Sequence, residues 1–339
     1  IAWSPTLGLF AAVANTGVGN RVMTSVTVPD ADEAQNLVDL KIRRGRDFFI
    51  KPGGDGFERF SVGTATVVLN NPQGRYNPYN AASPLYPNVQ PGHFARIRVH
   101  DGLVTRPVFT GRIADLRPLG DALNPRVQIV LEDGWAWLKE RSTSIAVQQN
   151  IATGTAIGLV LDDVSWPALW GRDLVGSADT IRYWWADRRQ ADQEIQDLAE
   201  SELGLFTIAA DGKAKFRGRY TSDDVVLTVY QADVQREVGL PQPWEIVRGK
   251  AKVIVHPRVR QATGELWRLQ DKPLLPASES LTIFAPFSSN NQEVPALGVL
   301  TPVATTDYLM NSASDGSGTN LTANFTVVAT VFGLTVKLV

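Results

Sequence analysis

Apolar and polar side chains alternate along residues 64–69. Thr64, Thr66 and Val68 share one face of an extended strand and Ala65, Val67 and Leu69 the other, as a strand period of two requires. Asn70, Asn71, Pro72, Gln73 and Gly74 stop the strand, because proline holds φ fixed and glycine accepts positive φ. Alternation at 22–28 and 37–43, separated by Pro-Asp-Ala-Asp at 29–32, predicts a pair of strands. Residues 51–56, Lys-Pro-Gly-Gly-Asp-Gly, read as an exposed loop. With further strands near 94–100, 106–117 and 126–132, the spacing of turn signals points to a barrel or sandwich.

After residue 132 the period changes. Residues 133–139 predict a short helix, with Trp135 and Leu138 spaced to close one end of the barrel core, and the first domain ends near Arg141. Residues 153–164 are helix-compatible, with Trp166-Pro167 as the stop. Asp187 followed by Gln190 is a variant capping box. Ile195, Leu198, Ala199, Glu202 and Leu203 form the stripe of a second helix that Gly204 ends. Residues 206–210 and 213–219 flank Asp211-Gly212, the pair favoured by type I′ hairpin turns. Beyond 221 the chain reads as mostly β, with strands near 225–230, 247–256, 265–270, 280–285, 293–300 and 324–338 broken by scattered prolines. The fold class is therefore α+β and β-rich. Its expected divisions are an N-terminal arm or edge strand at 1–20, a barrel domain at 21–142, a small helix-plus-hairpin domain at 143–220 and a second β-rich domain at 221–339. Ile1 at the start and a strand pattern running to Val339 fit a chain trimmed at either end.

Composition narrows the function. The 339 residues exceed the roughly 250–300 at which a single core stops growing, so two or three domains are expected. A net charge of −2 argues against a dedicated duplex-DNA binder, which needs a strong excess of Lys and Arg. Cysteine is absent, which rules out a disulfide, a thiolate zinc site and a cysteine nucleophile. No run approaches the ~18 apolar residues of a membrane helix, and the apolar opening lacks the basic flank of a signal peptide.

Candidate chemistry is sparse. His93 and His100 flank one strand at an odd separation, so they face opposite sides and are poor co-ligands. Neither H-E-x-x-H nor G-x-S-x-G occurs. Glu132-Asp133 and Asp162-Asp163 invite comparison with glycan-hydrolase carboxylates, but adjacent strand residues point apart, and both pairs read as solvated turn carboxylates. Residues 315–320 lack the ordered carboxylates of a calcium loop. No catalytic, cofactor-binding or metal-binding residue is predicted, and no cofactor. Two features suit an interface. Arg43, Arg44 and Arg46 lie in the densest basic patch, which fits acidic neighbours, passing nucleic acid or a solvated strand end. Trp184 and Trp185 lie in an alternating segment, which sends one ring to the core and the other to a neighbour, or to a sugar or base.

The order of a strand at 63–70, an asparagine-glycine turn, a tyrosine-rich loop to Tyr79, Pro91-Gly92 opening another strand and the F-x-G of Phe109, Thr110 and Gly111 resembles the tail-tip or baseplate hub proteins of tailed phages. Residues 190–219 are similar to a helix and hairpin of that family, and 307–322 to a segment near the end of some members. The resemblance implies two tube-like antiparallel β-barrel domains per protomer, with the small domain between them. A homotrimer would then present six barrels to a six-fold tail tube and bound a channel. The implied partners are a distal tail or tail tube protein, the tape measure protein and tail fibre or other tip proteins. DNA would pass without specific binding. The implied role is structural and non-enzymatic, in the virion tail tip after synthesis in the host cytoplasm, without membrane anchoring. Competing roles are a distal tail ring, a carbohydrate-binding adhesin and a tail-associated cell-wall hydrolase.

Overall fold

The computed structural model describes residues 2–4, 9–13, 34–45, 60–86, 89–100, 102–121, 123–177, 179–221 and 258–339. In its first part lie β1 (Ala2–Ser4), β2 (Leu9–Val13), β3 (Leu37–Arg43), β4 (Thr64–Asn70), β5 (Phe94–His100), β6 (Thr105–Leu119) and β7 (Arg126–Glu132). They form one seven-stranded sheet in the order β1-β2-β5-β6-β7-β4-β3, curled as a half-barrel. Every pairing is antiparallel except β2 with β5, which is parallel, a departure from the antiparallel barrel expected. The strand expected at 22–28 and the loop at 51–56 lie outside the described residues.

Alternation in β4 does what its period demands: Ala65, Val67 and Leu69 are buried with Ile97, Phe109, Ile113, Ile129 and Leu131. In β3, Leu40 and Ile42 pack on the same core, while Asp39, Lys41 and Arg43 point out. Burying a side chain such as Phe109, 0% exposed, contributes about 2–3 kcal/mol. The curl centres on β6, whose first half pairs with β5 and second half with β7. At that handover a Cβ on Gly111 would sit 2.0 Å from the Glu132 carbonyl oxygen, so no other residue fits without moving backbone. Register shifts between Ile97 and Arg98 and between Ile113 and Asp115 bend the sheet beside it.

Next come α1 (Gly134–Lys139), β8 (Ser142–Ala152), α2 (Thr153–Asp163), β9 (Arg172–Val175), β10 (Thr180–Gln190), α3 (Ala191–Ser201), β11 (Leu205–Ile208) and β12 (Ala214–Arg217). β8 and β10 make an antiparallel ribbon, and β11-β12-β9 a three-stranded sheet whose β12–β9 pairing is parallel. Trp135 and Leu138 do not close the half-barrel core as expected. They enter the core of this middle unit with Ile157, Val160, Trp170, Ile195 and Phe216, because α1 turns away from the end of β7. Trp135 stacks on Phe60 at 6.3 Å and meets Phe206 edge-on at 5.3 Å.

Three local expectations need correction. The capping box does not form: β10 stays extended to Gln190, so Asp187 instead accepts the Leu334 N–H at 3.2 Å and pairs with Arg188. α3 ends in a Schellman motif, with Gly204 N–H to Ala199 O at 2.8 Å and Leu203 N–H to Glu200 O at 3.0 Å. The residue at positive φ is therefore Leu203 (φ 55), 77% exposed, and not Gly204. The β11–β12 turn is not type I′, since only Gly212 has positive φ. The Gly212 N–H bonds Ala209 O and the Ala209 N–H bonds Lys213 O, a type I turn followed by a left-handed glycine.

The last described region carries β13 (Ile283–Pro286), β14 (Ser288–Ser289), β15 (Gln292–Glu293), β16 (Ala329–Phe332) and β17 (Thr335–Leu338). Its sheet runs β13-β17-β16 over a small core of Ala285, Phe287, Ala296 and Val336. The strands expected at 280–285 and 324–338 correspond to β13 and the β16–β17 hairpin. That at 265–270 does not form, and that at 293–300 shrinks to its first residue, where Pro295 removes a ladder donor. Those at 225–230 and 247–256 lie outside the described residues.

Candidate assembly surface

One end of the half-barrel is sealed by the loop that follows β4. Asn71 Oδ1 accepts the Tyr76 N–H at 3.0 Å, and the Asn80 amide donates to the carbonyls of Gln73 at 2.9 Å and Gly74 at 3.1 Å. Ser83 donates its hydroxyl to Arg75 O and accepts the Leu85 N–H. The Asn71 N–H bonds Pro125 O at 2.8 Å and so ties the loop to the β6–β7 turn. Tyr76 and Leu85 thereby enter the core, and the Asn36 amide donates to the Tyr76 hydroxyl. Three residues on, Tyr79 is 89% exposed, its N–H held by Asn77 Oδ1 at 3.0 Å. Leu123, in the neighbouring turn, is 90% exposed. A rigid backbone thus holds an aromatic and an aliphatic side chain out at the same end of the sheet, the arrangement of an interface anchor.

The basic patch divides. Lys41 and Arg43 face outward along the edge strand β3, Lys41 paired with Asp39 at 3.5 Å. Arg44 turns back to Gly63, where its Cγ and the Asp133 carboxylate converge. Arg46 lies outside the described residues. Asp133 was expected among solvated turn carboxylates, yet it is 3% exposed and caps α1 by accepting the Trp135 N–H at 3.0 Å. Burial pushes its carboxyl up to about 7, against backbone hydrogen bonds from Trp135 and Gly63 and the attraction of Arg44.

The tryptophan pair divides as its alternation required. Trp184 is buried in the middle core and donates its indole N–H to Glu194 Oε1 at 2.7 Å. Trp185 lies on the opposite face of β10, with the Arg258 guanidinium 4.0 Å above its ring. Arg258 is fixed there by donating to Tyr183 O at 3.0 Å. Arg43 and Trp185 stand on separate sheets.

The carboxylates considered for catalysis have structural partners. Asp163 accepts the Thr143 hydroxyl at 2.7 Å and the Ser144 N–H at 2.9 Å, and Asp162 pairs with Arg172 at 2.6 Å. Asp315 is turned onto the N–H and hydroxyl of Ser317, which hold its pKa below the usual range. Among the described residues no group of three or more His, Asp or Glu is arranged to hold a metal ion. No helix among them is long and apolar enough to cross a membrane. The outward turn of Tyr79 and the burial of Asp133 escaped the sequence reading. Each depends on which side of one turn faces the core, and residue type alone does not fix that.

No protein-family model and no curated protein matches the chain. Among solved structures it is similar to the 43 kDa tail protein of prophage MuSo2 from Shewanella oneidensis, at 16% identity and TM-score 0.33 over 48% of each chain. It is also similar to the E. coli c3393 protein, at 13% identity and TM-score 0.33 over 46% of this chain and 42% of that one. That protein is described as a type VI secretion component structurally similar to the T4 tail proteins gp27 and gp5. A third is the tail protein from Neisseria meningitidis MC58, at 13% identity and TM-score 0.34 over 52% of this chain and 49% of that one. The chain spans about half or less of the length of each.

Proposed function

We propose that this chain is a structural subunit of a phage tail, acting at the tail tip as a hub that ends the tail tube. The observation that carries this reading is the curled open sheet whose one end is covered by the loop after β4, with Tyr79 on that loop and Leu123 on the adjoining β6–β7 turn both exposed. Among the described residues β1 and β3 end the open sheet, and identical subunits satisfy such edges by closing into rings. The order of motifs from Gly63 to Gly111 supports the hub over other ring proteins. The chain then works mechanically. Copies surround a channel through which tape measure and DNA leave, and a trimer adapts the six-fold tube to a three-fold tip. Its neighbours are the distal tail or tube protein, the tape measure and the fibre or other tip proteins, and its place is the virion tail.

Native mass measurement of the full chain tests this directly. A trimer supports the hub, a hexamer transfers the role to a distal ring, and a monomer at every concentration refutes both. Replacing Tyr79 and Leu123 together by serine is expected to weaken assembly at least tenfold, while the melting temperature of the protomer stays unchanged. Both side chains are almost wholly exposed, so they contribute little to the fold.

A further inference from the structure

The half-barrel and the middle unit meet across an aromatic seam, where Phe94 of β5 packs on Trp137 and Trp170 and Phe60 packs on Trp135, and one carboxyl group is buried beside it. Asp133 is the hinge residue in the plain sense: it follows the last residue of β7 and caps the first turn of α1, its N–H bonded to Gly63 O at 2.9 Å. Gly63 forms the opposite wall. A Cβ there would lie 2.3 Å from Asp133 Oδ2 and 3.3 Å from Arg44 Cγ, so three separate segments close on the carboxylate at Gly63. Two further contacts hold the same junction shut: Thr110 of β6 donates to Ala210 O at 3.0 Å, and Gln196 of α3 donates to Phe60 O at 3.3 Å. Capping α1 does not by itself call for an acid, since asparagine or serine caps a helix equally well.

We propose that this junction is a proton-linked joint between the half-barrel and the middle unit, closed while Asp133 carries its proton and loosened once the proton is lost. The charged groups around it are few. Arg44, beyond β3, attracts the carboxylate, and Glu132, at the end of β7, repels it. Asp211, in the β11–β12 turn, also draws on Arg44 while paired with Lys213 at 2.9 Å. One shared cation against this much burial leaves the ionised form under-compensated, and the carboxyl accordingly titrates at about 7. Opening the joint would return it to an ordinary aspartate value. Between that value and about 7 the closed state keeps a proton that the open state has released, so opening becomes easier as pH rises through the window. Above about 7 both states are ionised and the dependence ends. The joint belongs to the single protomer and does not depend on ring assembly.

Hydrogen exchange on the full chain, with each rate divided by the intrinsic rate, reads the joint through peptides covering residues 60–66 and 133–139. Protection there is expected to fall about tenfold per pH unit between roughly pH 5 and 7 and then level off. Asp133→Asn should show no such slope, and peptides from the β13–β17 sheet should show none in either protein. Arg44→Gln removes the attracting cation, so its levelling point should move to higher pH. That variant carries the test if Asp133→Asn does not fold. A wild-type profile that is flat, a slope retained in Asp133→Asn, or a levelling point unmoved in Arg44→Gln would overturn the proposal.

Discussion

Replacing Trp184 by phenylalanine separates a core role from an interface role. In the structure its indole N–H reaches Glu194 Oε1 at 2.7 Å, and Glu194 is 4% exposed. Its other oxygen is paired with Arg189 at 3.2 Å, a side chain half in solvent. Phenylalanine keeps an aromatic ring in place but leaves Oε1 without a donor, and losing a hydrogen bond to a buried charged group costs about 1.5–3 kcal/mol. The smaller ring leaves a void worth about 1 kcal/mol more. The sum, roughly 2.5–4 kcal/mol, is a large share of the ~5–15 kcal/mol that holds a typical domain together. Glu194→Gln is the control. It keeps an acceptor for the indole and loses only the half-exposed pair, about 1 kcal/mol or less. Urea denaturation followed by far-UV circular dichroism measures both, and the double variant gives the coupling energy. A Trp184→Phe protein within about 0.5 kcal/mol of wild type, but with a changed native mass, would refute the reasoning and return Trp184 to an interface.

Leu203→Gly should stabilise the chain by about 0.5–1 kcal/mol, because the left-handed C′ position of α3 is strained for leucine and its exposed side chain gives little in return. A raised denaturation midpoint with an unchanged slope would show it. Gly111→Ala should cost about 3 kcal/mol or more, since the clash is with the Glu132 backbone, which no side-chain rotation relieves. Denaturation of purified protein, or a collapse in soluble yield, checks it.

Much of the fold was legible where one period runs uninterrupted. β4 reads correctly because every second residue must face the same core. α3 reads correctly because Ile195, Leu198 and Ala199 recur at helical spacing. Its ends were less legible. Spacing puts Leu203 in the apolar stripe, but the Schellman turn rotates it into solvent, and the Asp187 cap that the residue order suggests is denied by an extended strand. The spacing of Trp135 and Leu138 is right but does not say which core they enter, because a short helix at the edge of one core can fall toward either side. At the candidate surface, the alternation at 184–185 correctly sent the two rings apart, but the sequence did not say which would meet Glu194 and which Arg258. Asp133 was illegible for a different reason: a carboxylate before a helix is ordinarily solvated, and only the approach of Gly63 from a distant segment buries it.

The asparagine- and serine-tied loop between β4 and β5 also bears on how any partner is chosen. Ordering one backbone residue costs about 1–2 kcal/mol, and residues 71–86 of this loop have already met that cost in forming their own internal bonds. Covering Tyr79 therefore demands almost no loss of chain freedom, and modest contact area goes far. The same bonds fix where the Tyr79 backbone stands while its ring keeps its own rotamer freedom, so a neighbour is selected by the position of its hollow and the ring adjusts within it.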